Sequence, residues 1–267
     1  MYRLIELGSR LSLRQGSCAF VLMAKAPRVG MVKTRLTPLL SDEEAAALSR
    51  CFIQDMAANI ERLTEANRLI GVVAYTPAGE AGAFAGLLPK QFHLLTQRGA
   101  DLGERLGNAA LDLFAAGFNA VCLINSDSPT LPHAVLSDAM AHLDAPGDRI
   151  VLGEASDGGY YLIGLKKPEP DLFRGIEWST PRVFAQTVGR ARENRLAVVP
   201  LPVWHDVDDW LSLRTLFEEL LNQGHSVMKA AAGYGAPVTA RLLRDLALSN
   251  PALRKRLAET LPELRVS

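Results

Sequence analysis

The chain has 267 residues, and its 29 lysine and arginine residues balance 29 aspartate and glutamate residues. A net charge of zero argues against a broad electrostatic surface for nucleic acid or for an anionic membrane. With 48% hydrophobic and 22% charged residues, the composition is that of a globular protein and excludes a disordered chain.

The first apolar run, residues 18–24, bears on where the protein resides. Arginines precede this run, as they do in a signal peptide, but it has only seven residues and ends at Lys25. We therefore interpret it as a buried strand and not as an export signal. Cys18, Cys51 and Cys122 have apolar neighbours and form no CxxC pair, which favours reduced thiols. We expect a cytoplasmic protein without a membrane span.

Apolar runs alternate with amphipathic stretches along most of the chain. A continuous apolar run is typical of a strand covered on both faces, and an apolar stripe is typical of a helix. The apolar runs predict strands at 18–24, 69–75, 92–96, 120–124, 150–153, 160–165 and 196–201. The amphipathic stretches predict helices at 41–63, 102–116, 132–143 and 181–194, with a further helix from Trp210.

Two helix starts carry explicit signals. Ser41 followed by Glu44 has the spacing of a capping box. Ser179 and Thr180 followed by Pro181 resemble an N-cap with proline at the first helical position.

Strands that alternate with helices predict a three-layer α/β/α fold with a mainly parallel sheet. We expect a loose N-terminal extension at 1–16, a domain over 17–224 and a C-terminal helical extension at 225–267, which is rich in Ala, Leu and Arg. Ligands in such folds bind outside the carboxyl ends of the strands. Polar residues directly after strands are therefore the candidates for a functional site.

The loop after the first strand is rich in cations. It contains Lys25, Arg28, Lys33 and Arg35, while Gly30 lets the backbone approach a ligand closely. Cations beside free backbone amides suit a diphosphate or a triphosphate. A solvated basic loop is the alternative, and we favour phosphate binding because of the position after a strand. The GxGxxG and GxxxxGK[ST] fingerprints are absent from the sequence.

Acidic residues follow two later strands. Asp127 lies directly after the fourth strand, and Asp206 and Asp208 follow the last one. Carboxylates at strand tips suit Mg²⁺ or Mn²⁺ held against substrate phosphates. Turn and helix-cap chemistry is the alternative reading, and we assign it to Asp209.

Other candidate residues have weaker signals. Asp157–Gly159 is first of all a turn between two strands, but paired glycines also let an acceptor lie against the backbone. Asp157 can then bind a hydroxyl or act as a base. The polar loop at residues 97–105, which contains Asp101, suits a base or a ribose. Trp178 suits either a lid or the core.

In this order, the motifs resemble the radical-SAM/selenodomain-associated transferase family, which is similar to nucleotide-diphospho-sugar transferases of the GT-A fold. The resemblance covers residues 17–220 and rests on K-x-P-x-x-G-x-V-K-T-R-L, S-D-S-P, D-G-G-Y-Y-L-I-G-L, W-S-T and D-V-D. It implies a Rossmann-like, GT-A-like domain that binds a nucleotide diphosphate through a divalent metal. Asn125 departs from the usual glycine, and serines flank Asp127 where an Asp-x-Asp is common.

The resemblance and the chemistry of the residues together predict a site. The predicted nucleotide-binding residues are Lys25, Gly30, Lys33, Arg35 and Asp101. The predicted metal ligands, for Mg²⁺ or Mn²⁺, are Asp127 and Asp208. The predicted acceptor-binding residues are Gly158, Gly159 and Trp178. The predicted catalytic residues are Asp157 and Lys33.

Two transferase reactions fit this site. In a glycosyltransferase, an acceptor attacks the anomeric carbon of a nucleotide sugar and a nucleoside diphosphate leaves. In a nucleotidylyltransferase of the guanylyltransferase kind, a phosphorylated small molecule attacks an NTP and pyrophosphate leaves. We favour the glycosyltransferase, with a non-catalytic nucleotide-binding subunit as a third alternative. The expected partners are a nucleotide or nucleotide sugar and a small-molecule acceptor, without nucleic acid or membrane, and homo-oligomerisation stays open.

Overall fold

The computed structural model describes residues 2–63, 68–221 and 233–261. The strands in these ranges are β1 (Arg3–Leu4), β2 (Cys18–Lys25), β3 (Leu69–Thr76), β4 (His93–Thr96), β5 (Ala120–Asn125), β6 (Arg149–Ala155), β7 (Tyr160–Leu165) and β8 (Ala197–Trp204). The helices are α1 (Asp42–Glu61), α2 (Leu102–Ala115), α3 (His133–Asp144), α4 (Val183–Glu193), α5 (Trp210–Leu221), α6 (Pro237–Ser249) and α7 (Pro251–Thr260).

The strands form a single mixed sheet in the order β1-β4-β3-β2-β5-β7-β6-β8. The central strand β2 is parallel to both of its neighbours, β3 and β5. Only β7 runs against the others in the described part of the sheet, antiparallel to β5 and to β6. The predicted α/β fold with a mainly parallel sheet is confirmed.

Both faces of the central strands are buried, which explains the unbroken apolar runs of the sequence. On β2, Phe20 and Leu22 pack into the layer that contains α1 and α3. Val21 points to the opposite layer, where it joins residues of α2 such as Leu113. Burying a side chain of this size stabilises the fold by roughly 1.5–3 kcal/mol. The central strands are thus fixed from both sides, and their carboxyl ends form a rigid edge.

The C-terminal helices pack against this core. Phe52 of α1, Phe217 of α5, Leu243 of α6 and Leu253 of α7 belong to one buried cluster. Asp55 of α1 accepts backbone hydrogen bonds from residues 238 and 239, in the first turn of α6, at 3.2 and 2.7 Å. The predicted boundary between residues 224 and 225 lies outside the described residues, so the division into a domain and a C-terminal extension stays a prediction.

Two local expectations need correction. Residues 1–16 are not loose throughout, because Arg3 and Leu4 pair with β4 and extend the sheet at its edge. Helix α4 begins at Val183 and not at Pro181. The residues before it form turns instead, since Ser179 has a left-handed backbone with φ 63°. No helix within residues 2–63, 68–221 and 233–261 is long and apolar enough to cross a bilayer.

Candidate active site

A cavity of about 520 Å³ opens at the carboxyl ends of β2, β3 and β5. This is the edge at which open parallel sheets bind their ligands. The volume is within the range of small-molecule sites. Several predicted site residues line the cavity, namely Lys25, Lys33, Arg35, Asp127 and Asp208.

Lys33 ties two of the strand-end loops together. Its Nζ donates to the backbone oxygen of Val207 at 2.6 Å and lies 2.5 Å from Asp127 Oδ1 and 3.1 Å from Asp208 Oδ1. Only 5% of the Lys33 side chain is exposed. Each of the three ammonium protons can therefore be matched with an oxygen acceptor. We call Lys33, Asp127 and Asp208 the Lys33 cluster.

The backbone around the Lys33 cluster is also constrained. Lys33 has φ 52° and ψ 33°, a left-handed conformation that costs a non-glycine residue roughly 1 kcal/mol or more. The backbone N–H of Val207 donates to the backbone oxygen of Asp127 at 2.9 Å, which joins the loops after β5 and β8. Long-range contacts thus hold Lys33 in a conformation that its local sequence does not favour.

Charge dominates the energetics of the cluster. Burial acts to lower the pKa of Lys33, but the Asp127 and Asp208 carboxylates outweigh it, so the pKa of the ammonium is raised. The ring of Phe52 adds a cation–π contact, with Lys33 Nζ 5.3 Å from the ring centroid. Lys33 therefore stays positively charged although it is buried.

A third carboxylate, that of Asp206, lies near the cluster. Burial raises the pKa of Asp206 to about 6, and the charges of Asp208 and Asp157 add to the rise. This coupling places the turn that carries Asp157 within electrostatic reach of the cavity edge. The region around Lys33 therefore holds more negative charge than its one buried ammonium can balance.

Other cations in the cavity are available to a ligand. The side chains of Lys25 and Arg35 are exposed and make no hydrogen bond or ion pair with any residue that the structure describes. Arg105 also lines the cavity, and its Nε donates to the backbone oxygen of Gly99 at 3.1 Å. These cations form a surface suited to phosphate oxygens.

Comparison with known proteins agrees with this geometry. A family described as uncharacterized protein conserved in bacteria (DUF2064) matches residues 59–180. The structure of a candidate nucleotide-diphospho-sugar transferase from Desulfovibrio desulfuricans G20 is 33% identical, with 89% of this chain and 97% of that chain covered and a TM-score of 0.73. The chain belongs to the family of that protein. The expected GT-A-like superfamily is thereby confirmed, whereas an association with radical-SAM proteins stays a prediction.

More distant structures share the fold of this transferase family. CMP:2-keto-3-deoxy-manno-octonic acid synthetase in complex with CTP is 11% identical, covers 78% of this chain and 99% of its own, and has a TM-score of 0.51. A nucleotidyl transferase from Methanothermobacter thermautotroptrophicus is 14% identical, covers 78% and 99%, and has a TM-score of 0.50. No curated protein matches the sequence.

The turn at residues 157–159, which the sequence predicts to lie on the acceptor side, is not part of the cavity lining. Asp157 Oδ1 accepts the backbone N–H of Gly159 at 2.8 Å, which closes the turn locally. Gly158 has φ 87°, and a methyl group there would overlap the backbone of Pro181. Its oxygen accepts the N–H of Phe184 at 2.9 Å. These contacts with Pro181 and Phe184 therefore hold the turn against the start of α4.

Three further predicted residues lie outside the cavity lining. Gly30 forms a turn with φ 73° in the loop after β2. Asp101 caps α2, where its Oδ1 accepts the N–H of Glu104 at 2.8 Å. Trp178 packs edge-on against Tyr160 with ring centroids 6.2 Å apart. Asp101 and Trp178 both line a second depression on the protein surface.

Sequence analysis missed several residues that line the cavity, among them Thr76 and Ser49. Thr76 is the last residue of β3, so the rule that polar residues after strands form the site would have found it. Ser49 lies within α1, and only the packing of that helix against the sheet brings it to the cavity. No local signal in the sequence marks it.

Proposed function

We propose that the chain is a glycosyltransferase that uses a nucleotide-diphosphate-sugar donor and a small-molecule acceptor. The observation that carries the proposal is the Lys33 cluster beside Lys25 and Arg35 in one cavity, two cations that form no ion pair with the described residues. Carboxylates next to free cations suit a diphosphate that carries a metal ion. The family relative, described as a candidate nucleotide-diphospho-sugar transferase, supports the same substrate class.

The donor set of the Lys33 cluster fits Mg²⁺ or Mn²⁺. The Asp127 and Asp208 side chains are 34% and 46% exposed, line the cavity and point an oxygen at the same cation. One or two carboxylates completed by water and substrate phosphates form a usual magnesium site. A bound divalent ion would neutralise charge on the diphosphate. Asp127 and Asp208 are the residues that would hold it.

The residues of the chain have distinct roles in the proposed transfer. Lys25 and Arg35 bind the donor diphosphate and stabilise the negative charge that grows on it as the bond to the sugar breaks. Asp157 is the proposed base, because it is an exposed carboxylate coupled to the acidic residues at the cavity edge. It takes the proton of the acceptor hydroxyl while the hydroxyl oxygen attacks the anomeric carbon.

Nucleotidylyl transfer is the second candidate, and one observation favours it. Three cations besides Lys33, namely Lys25, Arg35 and Arg105, line the cavity, and their charges suit a triphosphate. In this reaction a phosphate oxygen of the acceptor attacks the α-phosphorus, and pyrophosphate leaves with its charge held by these cations.

Product analysis distinguishes the two reactions. The protein is incubated with Mg²⁺ or Mn²⁺ and either pooled nucleotide sugars or pooled NTPs, and the leaving group is measured. Release of a nucleoside diphosphate from a nucleotide sugar, lost in Asp127→Asn, is the expected result. Release of pyrophosphate from an NTP, with no attack on nucleotide sugars, would replace sugar transfer by nucleotidylyl transfer.

A further inference from the structure

The cation position between Asp127 and Asp208 is filled by the protein itself. Lys33 Nζ lies 2.5 and 3.1 Å from one oxygen of each carboxylate and also donates to the backbone oxygen of Val207. A divalent ion that contacts both of these oxygens would have to lie next to a buried ammonium. Like charges at contact distance repel strongly where water is excluded.

The charge balance indicates what must accompany the ion. Two carboxylates and one ammonium give the Lys33 cluster one net negative charge, and the nearby carboxylate of Asp206 adds a second. A divalent ion alone would balance that charge, but the exposed cations Lys25 and Arg35 at the same cavity would then leave the site with an excess of positive charge. The phosphates of a nucleotide bring enough negative charge to hold the ion and the ammonium together.

The side chain of Lys33 can leave the aspartates without a change in the fold of the loop. Its neighbours Val32 and Leu36 are buried and anchor the backbone. The side chains of Asp127 and Asp208 are 34% and 46% exposed, so a ligand in the cavity can reach the ammonium that they contact. A phosphate oxygen that accepts from Nζ can therefore replace one of the aspartate contacts.

We propose that Lys33 keeps the aspartate pair closed to a free divalent ion, and that the site takes the ion only as its complex with a nucleoside diphosphate or triphosphate. The proposal rests on the proposed function, since it assumes a nucleotide in this cavity. Lys33 is then a positioning residue for the metal–nucleotide complex. Its ammonium neutralises Asp127 and Asp208 while the site is empty and moves to a phosphate oxygen when the nucleotide binds.

Mn²⁺ binding tests this without any turnover. The signal of free Mn²⁺ in electron paramagnetic resonance is titrated with the full chain, with and without UDP or GDP. Wild-type protein should bind Mn²⁺ weakly alone and at least about tenfold more tightly with one of the nucleotides. Lys33→Met should bind Mn²⁺ alone at least about tenfold more tightly than the wild type, because the competing charge is gone.

Two variants locate the effect. Arg28→Met removes one positive charge from the same loop without touching either aspartate, since Arg28 pairs with Glu80 at the surface, and it should change the affinity for Mn²⁺ alone much less than Lys33→Met. Adding Asp208→Asn to Lys33→Met should abolish the gain, because the ion then loses one of its two carboxylates.

Several results would overturn the proposal. They are tight binding of Mn²⁺ alone to the wild type, the same affinity in Lys33→Met, or no effect of either nucleotide on the wild type. The wild-type titrations suffice even when Lys33→Met does not fold. Failure of the proposed sugar transfer would be seen in product analysis while Mn²⁺ binding stayed as described, so the two failures are distinguishable.

Discussion

The loop after β2 and the turn between β6 and β7 are both polar connections near one edge of the sheet, yet they are held in different ways. Lys33 in the loop depends on residues far along the chain, and its bond to Asp208 spans 175 positions. Asp157 in the turn accepts a hydrogen bond from the backbone N–H of Gly159, only two positions away. The loop is therefore organised by long-range charge and the turn by local hydrogen bonding. This contrast distinguishes the loop that is suited to charged ligands from the locally ordered turn that carries the proposed base.

Asp127→Asn should have the largest effect, because it removes one of the two carboxylates that contact Lys33 of the loop after β2. We expect a loss of turnover of about 100-fold or more, the size typical of losing one charged group at a transferase centre. Steady-state product release measures it. Asp148→Asn is the matched control, since Asp148 is exposed and pairs with Lys167 at 2.7 Å. An equal loss in both variants would contradict the assignment.

Two glycine variants compare the regions directly. Gly158→Ala should lower the free energy of unfolding by about 3 kcal/mol, because the methyl group meets the backbone of Pro181 in addition to the strain of positive φ. Gly30→Ala should cost only about 1 kcal/mol, since its methyl group would lie 3.6 Å from Asp42 Oδ2. Urea unfolding measures both. Equal losses of unfolding free energy in the two variants would show that close contact with Pro181 does not hold the turn in place.

Two variants of the loop after β2 compare how much a buried and an exposed cation contribute to the free energy of unfolding. Lys33→Met should lower the free energy of unfolding by about 2 kcal/mol, less than for a fully buried pair because its partners are partly exposed. Arg28→Met should change it by less than about 0.5 kcal/mol, since Arg28 is 56% exposed and pairs with Glu80 at the surface. Similar effects in thermal unfolding would argue against a buried ammonium.

The smallest expected effect is a change in the pKa of Asp206, which measures the electrostatic coupling between the two regions. Its pKa of about 6 should fall when the charge of Asp157 is removed in Asp157→Asn. Carbon NMR titration of the protein in EDTA measures the pKa, with Asp171→Asn as a control that leaves it unchanged. The unfolded carboxyl loses its proton near pH 4 and the folded one near pH 6, so this group lowers the free energy of unfolding as pH rises through that interval. An unchanged pKa of Asp206 in Asp157→Asn would show that the charge of Asp157 does not act on Asp206.

The fold could be predicted largely from local pattern. The apolar run at 18–24 marks β2 to within one residue of its end. Ser41 and Glu44 form the predicted capping box, and Asp209 caps α5 by accepting from the N–H of Ser212 at 2.9 Å. These signals are readable because the interacting residues are neighbours in the sequence.

The site could be predicted only in part. The rule that ligands bind after strands found Lys33, Asp127 and Asp208 separately, but not that the lysine fills the position assigned to a metal ion. That arrangement depends on strand order and on the approach of two distant loops. The predicted helix start at Ser179–Pro181 was wrong for a related reason. The close approach of residues 158 and 181 competes with the local helix signal.

Nucleotide binding tests the central claim most directly. Isothermal titration of UDP and GDP in the presence of Mg²⁺ is compared between the wild type and the double variant Lys25→Met, Arg35→Met. We predict that the wild type binds at least one nucleotide and that the double variant loses at least about 100-fold in affinity, because both free cations of the cavity are gone. Undiminished binding by the double variant would show that the phosphates lie elsewhere and would contradict the account.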